Sequence, residues 1–141
     1  MTLTPSIPEA QRWLRQAESD LQAAHNDIRC CCPNWVLFKV HQALEKALVA
    51  AALCHAEAFE APVELVGLAQ QLEAVEPKLR GLVEEVKVLR GCGVDGKATQ
   101  YPSCHPFPVI PSEAFGSVDE EEVLKRVQGV LGRLQDHLGR M

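Results

Sequence analysis

The segment WVLFKVHQALEKALVAAALCHAEA, residues 35–58, decides how this chain folds. Its apolar side chains surround the axis of a predicted helix, and only one narrow polar stripe interrupts them. That stripe consists of Lys39, Gln42, Glu45 and Lys46. A helix that is apolar nearly all round must be covered by several neighbours, either all from this chain or some from a second copy. The segment is therefore predicted to be the central helix of a bundle.

An amphipathic helix is predicted before the central one. Ser6 and Glu9 have the spacing of a capping box, and Pro8 suits the first helical turn. Apolar residues then recur at intervals of three and four, and Trp13 is expected on the stripe that they form. The helix is predicted to end before Pro33, after which Asn34 would cap the central helix.

Three more helices are predicted after the central one. Pro62 breaks the pattern, and apolar residues at helical spacing then predict two short helices, over about 65–72 and 79–89, separated by Pro77. A longer helix is predicted from near Asp119 to near Arg140. The fold is therefore expected to be all-α, an up-and-down bundle of about five helices that forms one domain over residues 1–141.

A long loop is predicted between the short helices and the last helix. Glycines and prolines punctuate residues 91–118, and no helical period runs through them. Loops of this length inside a compact domain are uncommon and often functional. Because Tyr101, Phe107, Ile110 and Phe115 are apolar, the loop is expected to be ordered and to pack against the bundle.

Composition excludes several classes of function. The formal charge is −5, so nucleic acid is not a favoured partner. No apolar run is long enough to span a membrane and no signal peptide is evident, which predicts a cytoplasmic protein. Three of the six cysteines are adjacent, which points to free thiols. Convergence of Cys92, Cys104 and His105 on a zinc ion is the disfavoured alternative, because no Cys-x-x-Cys pair accompanies them. No metal and no cofactor is predicted.

Several motifs resemble those of the HEPN domain family. The central helix carries FKVHQALEKALVAA, residues 38–51, in which an aromatic residue and a Gln precede a Glu-Lys-Ala-Leu run. The loop carries GVDGKATQYP, residues 93–102, and PSEAF, residues 111–115. The segments EAQRWLRQAESDLQAAHNDI, NWVLFK and PFPVIP also fit in order and spacing. The resemblance thus covers nearly the whole chain and implies a helical HEPN domain.

The family's ribonuclease motif is not met. Catalytic HEPN domains carry an Arg and a His separated by four to six residues, whereas three residues separate Arg133 from His137. Gln100 stands where the family often has an Arg before Tyr-Pro. His41 and His55 are expected to be partly buried, hydrogen-bonded neutral imidazoles, and His137 is expected near a helix surface without a partner. No catalytic residue is therefore predicted.

The resemblance implies binding rather than catalysis. HEPN domains of this kind are associated with dimerisation and nucleotide binding, so a homodimer that binds a nucleotide such as GTP or ATP is expected, as a module beside other domains of a larger chaperone-associated protein. The candidate nucleotide-binding residues are Lys39, Gln42, Lys46, Lys97 and Tyr101. The alternatives are a solvated stripe on a purely structural dimerisation module and, less favoured, a HEPN-type ribonuclease.

Overall fold

A computed structural model of the chain describes residues 2–29, 32–55, 59–60 and 64–139. Within these ranges the helices are α1 (Ile7–Asn26), α2 (Pro33–Ala52), α3 (Leu65–Val75), α4 (Leu82–Gly91), α5 (Pro111–Ala114) and α6 (Glu120–Gly139). Two 3₁₀ turns cover Pro77–Leu79 and Pro102–Cys104. The two-residue strands β1 (Thr2–Leu3) and β2 (Phe59–Glu60) pair antiparallel. The all-α helical bundle expected from the sequence is confirmed.

The central position of α2 is confirmed by its burial. Twelve of its 20 residues are buried, on all sides of the axis. It packs against α1, α3, α5 and α6, and α1 and α4 in turn contact α6. Since the chain covers α2 with its own helices, the fold does not need a second copy for that purpose.

The start of α1 is as predicted, whereas the start of α2 is not. The Glu9 amide donates to Ser6 Oγ at 3.3 Å, which satisfies one of the free N–H groups at the helix terminus. In α2, Pro33 is the first helical residue and Asn34 lies buried in the first turn. Asn34 is not the cap, because its amide reaches across to the long loop and donates to the Thr99 carbonyl oxygen at 3.0 Å.

The C-terminal boundaries of the helices also differ from the predictions. Helix α2 ends at Ala52, and residues 56–58, to which the sequence extended it, lie outside the described ranges. The predicted break at Pro62 and the predicted end at Arg140 lie outside them as well. Leu79 belongs to the 3₁₀ turn that Pro77 begins and not to the following helix.

The long loop is ordered but only partly packed. Gly93 lies against Leu37 of α2, and Phe115 packs against the core. The prediction for the other aromatic residues was wrong: Phe107 is 97% exposed, and Tyr101 and Ile110 are also exposed. Prolines flank Phe107 on both sides and disfavour a helix at this point.

Trp13 is only partly buried, although its place in the α1 repeat suggested a core residue. Its ring packs on the edge of the core, and its indole N–H donates to Glu9 Oε1 at 3.2 Å. The residues that α1 does bury are Ala10, Leu14, Ala17, Leu21 and Ala24. The buried face of α1 thus alternates alanine with leucine.

Substitution of Gly93 tests the packing of the loop against α2. Gly93 has φ +104°, and a Cβ there would lie 2.9 Å from the Phe115 ring and 3.0 Å from Leu37 Cδ1. We expect Gly93→Ala to lower the free energy of unfolding by about 2 kcal/mol or more, through backbone strain and the clash.

Gly129, inside α6, has nothing within 4 Å of its Cβ position. Gly129→Ala should raise the free energy of unfolding by about 0.5–1 kcal/mol through helix propensity.

Urea unfolding followed by circular dichroism measures both changes. A Gly93→Ala midpoint equal to that of the unmodified chain would mean that the loop does not lie against α2.

Candidate functional site

The two lysines of the α2 stripe are engaged by α1. Lys39 Nζ contacts Asp27 Oδ2, and Lys46 Nζ donates to Asp20 Oδ2 at 2.6 Å. The lysines are seven positions apart in the sequence, and so are the aspartates. Two turns of one helix therefore face two turns of its antiparallel neighbour. The stripe is thus neither fully solvated nor a pair of uncompensated cations, and its charges help to fix the register of α1 on α2.

The other three predicted site residues lie elsewhere. Gln42 is partly buried on α2, whereas Lys97 and Tyr101 are exposed on the loop. The loop covers the Leu37 and His41 side of α2, and at 3.6 residues per turn that side lies about 160° round the helix from Lys39. Lys97 and Tyr101 therefore do not join the lysine stripe within one copy of the chain.

The conformation of the loop is held by its own polar groups. The Asp95 carboxylate accepts hydrogen bonds from the amides of Lys97 and Ala98, at 2.9 and 3.0 Å. Further along, His105 Nε2 donates to the Ala98 carbonyl oxygen at 2.6 Å. The Gln100 amide donates to the Gly96 carbonyl oxygen at 2.5 Å. These bonds close a compact turn whose outer face carries Lys97.

His41 lies beneath this turn. A Cβ on Gly96 would lie 3.0 Å from the His41 ring, and His41 Nδ1 is 3.9 Å from Glu45 Oε2. Burial lowers the pKa of His41 and raises the pKa of Glu45, so it favours the neutral form of each group. His41 Nδ1 is buried and has no hydrogen-bond partner within the described ranges. His41 is thus partly buried as predicted, but the hydrogen bond expected for it is not formed at this nitrogen.

Arg133 and His137 have separate structural contacts. Arg133 Nη2 donates to the carbonyl oxygens of Lys78 and Arg80, at 3.2 and 2.9 Å, and so ties α6 to the 3₁₀ turn. His137 is buried and stacks on His55, with ring centroids 5.6 Å apart. The prediction of a surface histidine without a partner was wrong. His137 lies on the inner face of α6, which the local spacing to Arg133 did not reveal.

A carboxylate lies near this histidine pair. Glu76 Oε2 is 3.9 Å from His137 Nδ1, and the Nε2 atoms of both His55 and His137 are buried without a hydrogen-bond partner among the described residues. Burial lowers the pKa of His137, Glu76 opposes that shift, and His55 and Lys78 add to it. Even so, nowhere in the described ranges do three or more His, Cys, Asp or Glu side chains stand where they could hold a metal ion.

An open groove runs along the exposed face of α1 beside Lys46. It has a volume of ≈ 700 Å³. Arg12, Trp13, Arg15 and Lys46 supply its cationic and aromatic walls, and Glu9, Gln16 and Ser19 complete its lining. Sequence reasoning assigned only Lys46 to a site. The i, i+3 and i+4 spacing of Arg12, Arg15 and Gln16 was available as a signal, since it places these residues on one helix face.

Comparison with known proteins assigns the class of this helical bundle. Residues 10–137 match the HEPN domain family, and the chain belongs to that family. Over 130 residues the chain is 35% identical to human sacsin, which covers 92% of this chain. The same match spans 3% of sacsin, so the likeness concerns one domain of a much longer protein.

The remaining thiols and the membrane prediction can also be compared with the structure. Cys54, Cys92 and Cys104 form no disulfide. Burial raises the pKa of the Cys54 thiol, which makes it a poor nucleophile at neutral pH. Among the described helices, none has the length and apolar character needed to cross a bilayer.

The buried side chain of His137 should make stability depend on pH. Because burial in the folded state lowers the pKa of His137 below the usual value of about 6.5, the unfolded chain binds this proton more readily. Stability is therefore fully present above about pH 6.5 and declines as the pH falls toward the folded pKa, by at most about 1.4 kcal/mol per pH unit for this group. Urea titrations between about pH 7 and pH 5 measure this slope.

His137→Gln should make the slope shallower, since Gln does not titrate in this range. His25→Gln is the matched control, because His25 is exposed on α1. A slope that is the same in the parent chain and in both variants would contradict the assignment.

Proposed function

We propose that this HEPN domain binds nucleoside phosphates and forms a homodimer without catalysing RNA cleavage. The observation that carries the nucleotide part is the open groove beside Lys46, in which cations and an aromatic ring meet in a volume of ≈ 700 Å³. Ligand pockets commonly fall between about 300 and 1,000 Å³. As in the family resemblance, the domain would act as a module beside other domains of a larger chaperone-associated protein in the cytoplasm.

The exposed part of the long loop supports self-association. Phe107 is almost fully exposed, and Ile110, three residues further on, is exposed as well. Large apolar side chains exposed to water within one short segment are typical of interaction surfaces. The apolar surface of α2 adds no support for a dimer, because the helices of the same chain cover it.

The contacts of Arg133 and His137 support a role without catalysis. A ribonuclease of this kind needs a cation beside a general acid or base, both directed at the phosphate. Arg133 donates to two backbone carbonyl oxygens, and His137 is buried against His55. The proposal is that both side chains stabilise the junction of α6 with the 3₁₀ turn.

The second candidate function is a purely structural dimerisation module. Its support is the pairing of Lys39 with Asp27 and of Lys46 with Asp20, which compensates the charges of both lysines. On this alternative the groove is an ordinary surface depression, and no ligand occupies it.

Calorimetric titration of the purified chain with ATP and GTP, run beside analytical ultracentrifugation, tests the proposal. We expect saturable binding that weakens as salt rises, and a species of twice 15.5 kDa at tens of micromolar, a concentration that suits a modest interface. A dimer without nucleotide binding would establish the structural module instead. A species of 15.5 kDa throughout would refute dimerisation.

A cleavage assay tests the catalytic alternative. Single-stranded RNA incubated with the chain in metal-free buffer should stay intact, and the His137→Gln variant should give the same result. Cleavage by the parent chain that His137→Gln abolishes would show a HEPN-type ribonuclease.

A further inference from the structure

The groove on α1 has a chemical composition that its surroundings do not explain. Arg12, Arg15 and Ser19 follow one another at intervals of three and four, so they line one side of the helix. Lys46 enters the same groove from α2. Like charges that share a face cost free energy unless opposite charges compensate them.

The ion pairs around the groove leave one of its cations uncompensated. Arg12 Nη1 is 3.1 Å from Glu9 Oε2, and Lys46 Nζ is 2.6 Å from Asp20 Oδ2. Asp20 also accepts a hydrogen bond from Gln16 Nε2 at 2.8 Å. Arg15, in contrast, is exposed and forms no ion pair with any residue in the described ranges. Arg15 is therefore the side chain best able to bind an added anion without first losing a partner.

Trp13 supplies the apolar wall of the groove. Its indole N–H is fixed by the hydrogen bond to Glu9, and its inner edge packs on the core. A ring that is already held in place loses little conformational freedom when a flat ligand stacks on it. Aromatic side chains stack on nucleobases in this way, with little preference between bases.

We propose that this groove is the nucleotide site, with Trp13 stacking on the base and Arg15 binding the phosphates, assisted by Arg12 and Lys46. The inference rests on the proposed function and adds to it which residues of the groove bind which part of the nucleotide. A guanidinium presents several N–H donors in a plane, which suits bidentate contact with phosphate oxygens. Lys97 and Tyr101, on the opposite side of α2, then take no part in binding. Of the residues first predicted from sequence, Lys46 alone touches the ligand.

The two tryptophans of the chain allow the location to be measured directly. Trp13 lies in the groove, whereas Trp35 lies beside Asn34, whose amide bonds the loop. Eleven residues along α2 separate Trp35 from Lys46, a distance of about 16 Å. The fluorescence of Trp35→Phe therefore reports on Trp13 and the groove, and that of Trp13→Phe reports on Trp35 and the loop.

ATP and GTP should quench the fluorescence of Trp35→Phe saturably, with the midpoint found by calorimetry, and should leave that of Trp13→Phe unchanged. Light absorbed by the nucleotide is corrected with free N-acetyl-tryptophanamide. Saturable quenching in Trp13→Phe alone, lost in Lys97→Gln, would overturn the groove and locate the site on the loop.

Charge variants complete the test. Arg15→Gln should weaken nucleotide binding about tenfold or more, because a charge-assisted contact to phosphate is lost. Arg80→Gln makes the same change at an exposed position directly after the 3₁₀ turn, and this variant should bind nucleotide as tightly as the parent chain does. Circular dichroism should show equal helix content in both variants.

The two proposals fail in different ways. If the parent chain binds nucleotide and Arg15→Gln binds equally well, the groove assignment is wrong while the proposed function stands. If the parent chain binds no nucleotide at low salt, the proposed function is wrong and the groove assignment with it.

Discussion

The structure depends on the need to cover α2 on all sides. An apolar helix of 20 residues is unstable in water until neighbouring helices cover it, and here α1, α3, α5 and α6 all do so. Polar groups within a helix contact can specify its register. The pairs Lys39–Asp27 and Lys46–Asp20 oppose sliding, because a shift by one turn would part both. Partly exposed ion pairs add little to stability, so we assign these two to register.

Periodicity predicted the helices because it reflects burial along one element. The repeats of α3 and α6 are buried where the sequence indicated, and so is that of α1 except at Trp13. The errors arose where one element meets another. Asn34 looked like a cap, yet its amide bonds the loop carbonyl of Thr99, 65 residues further along the chain. His137 looked exposed for the same reason, since its stacking on His55 depends on where the ends of α2 and α6 meet.

The candidate site was less predictable than the fold. Lysines seven residues apart were recognised as sharing a face, but the aspartates of α1 with the same spacing were not matched to them. That match would have shown that Lys39 and Lys46 serve the contact between the helices. The spacing of Arg15 with Arg12 and Gln16 could have placed it on that helix face, but its lack of an ion pair within the described ranges could be read only from the structure.

Gln100 helps to explain why the loop is less suited to bind phosphate than the exposed face of α1. Where the family often has an arginine, the Gln100 side chain turns back and donates to the Gly96 carbonyl oxygen, so it braces the turn above His41. A guanidinium at this position would carry a permanent charge, whereas an amide satisfies the turn and leaves the loop with one exposed cation, Lys97. Phosphate recognition improves with several convergent donors. The loop cannot provide them alone, and the exposed face of α1, where arginines stand one turn apart, can.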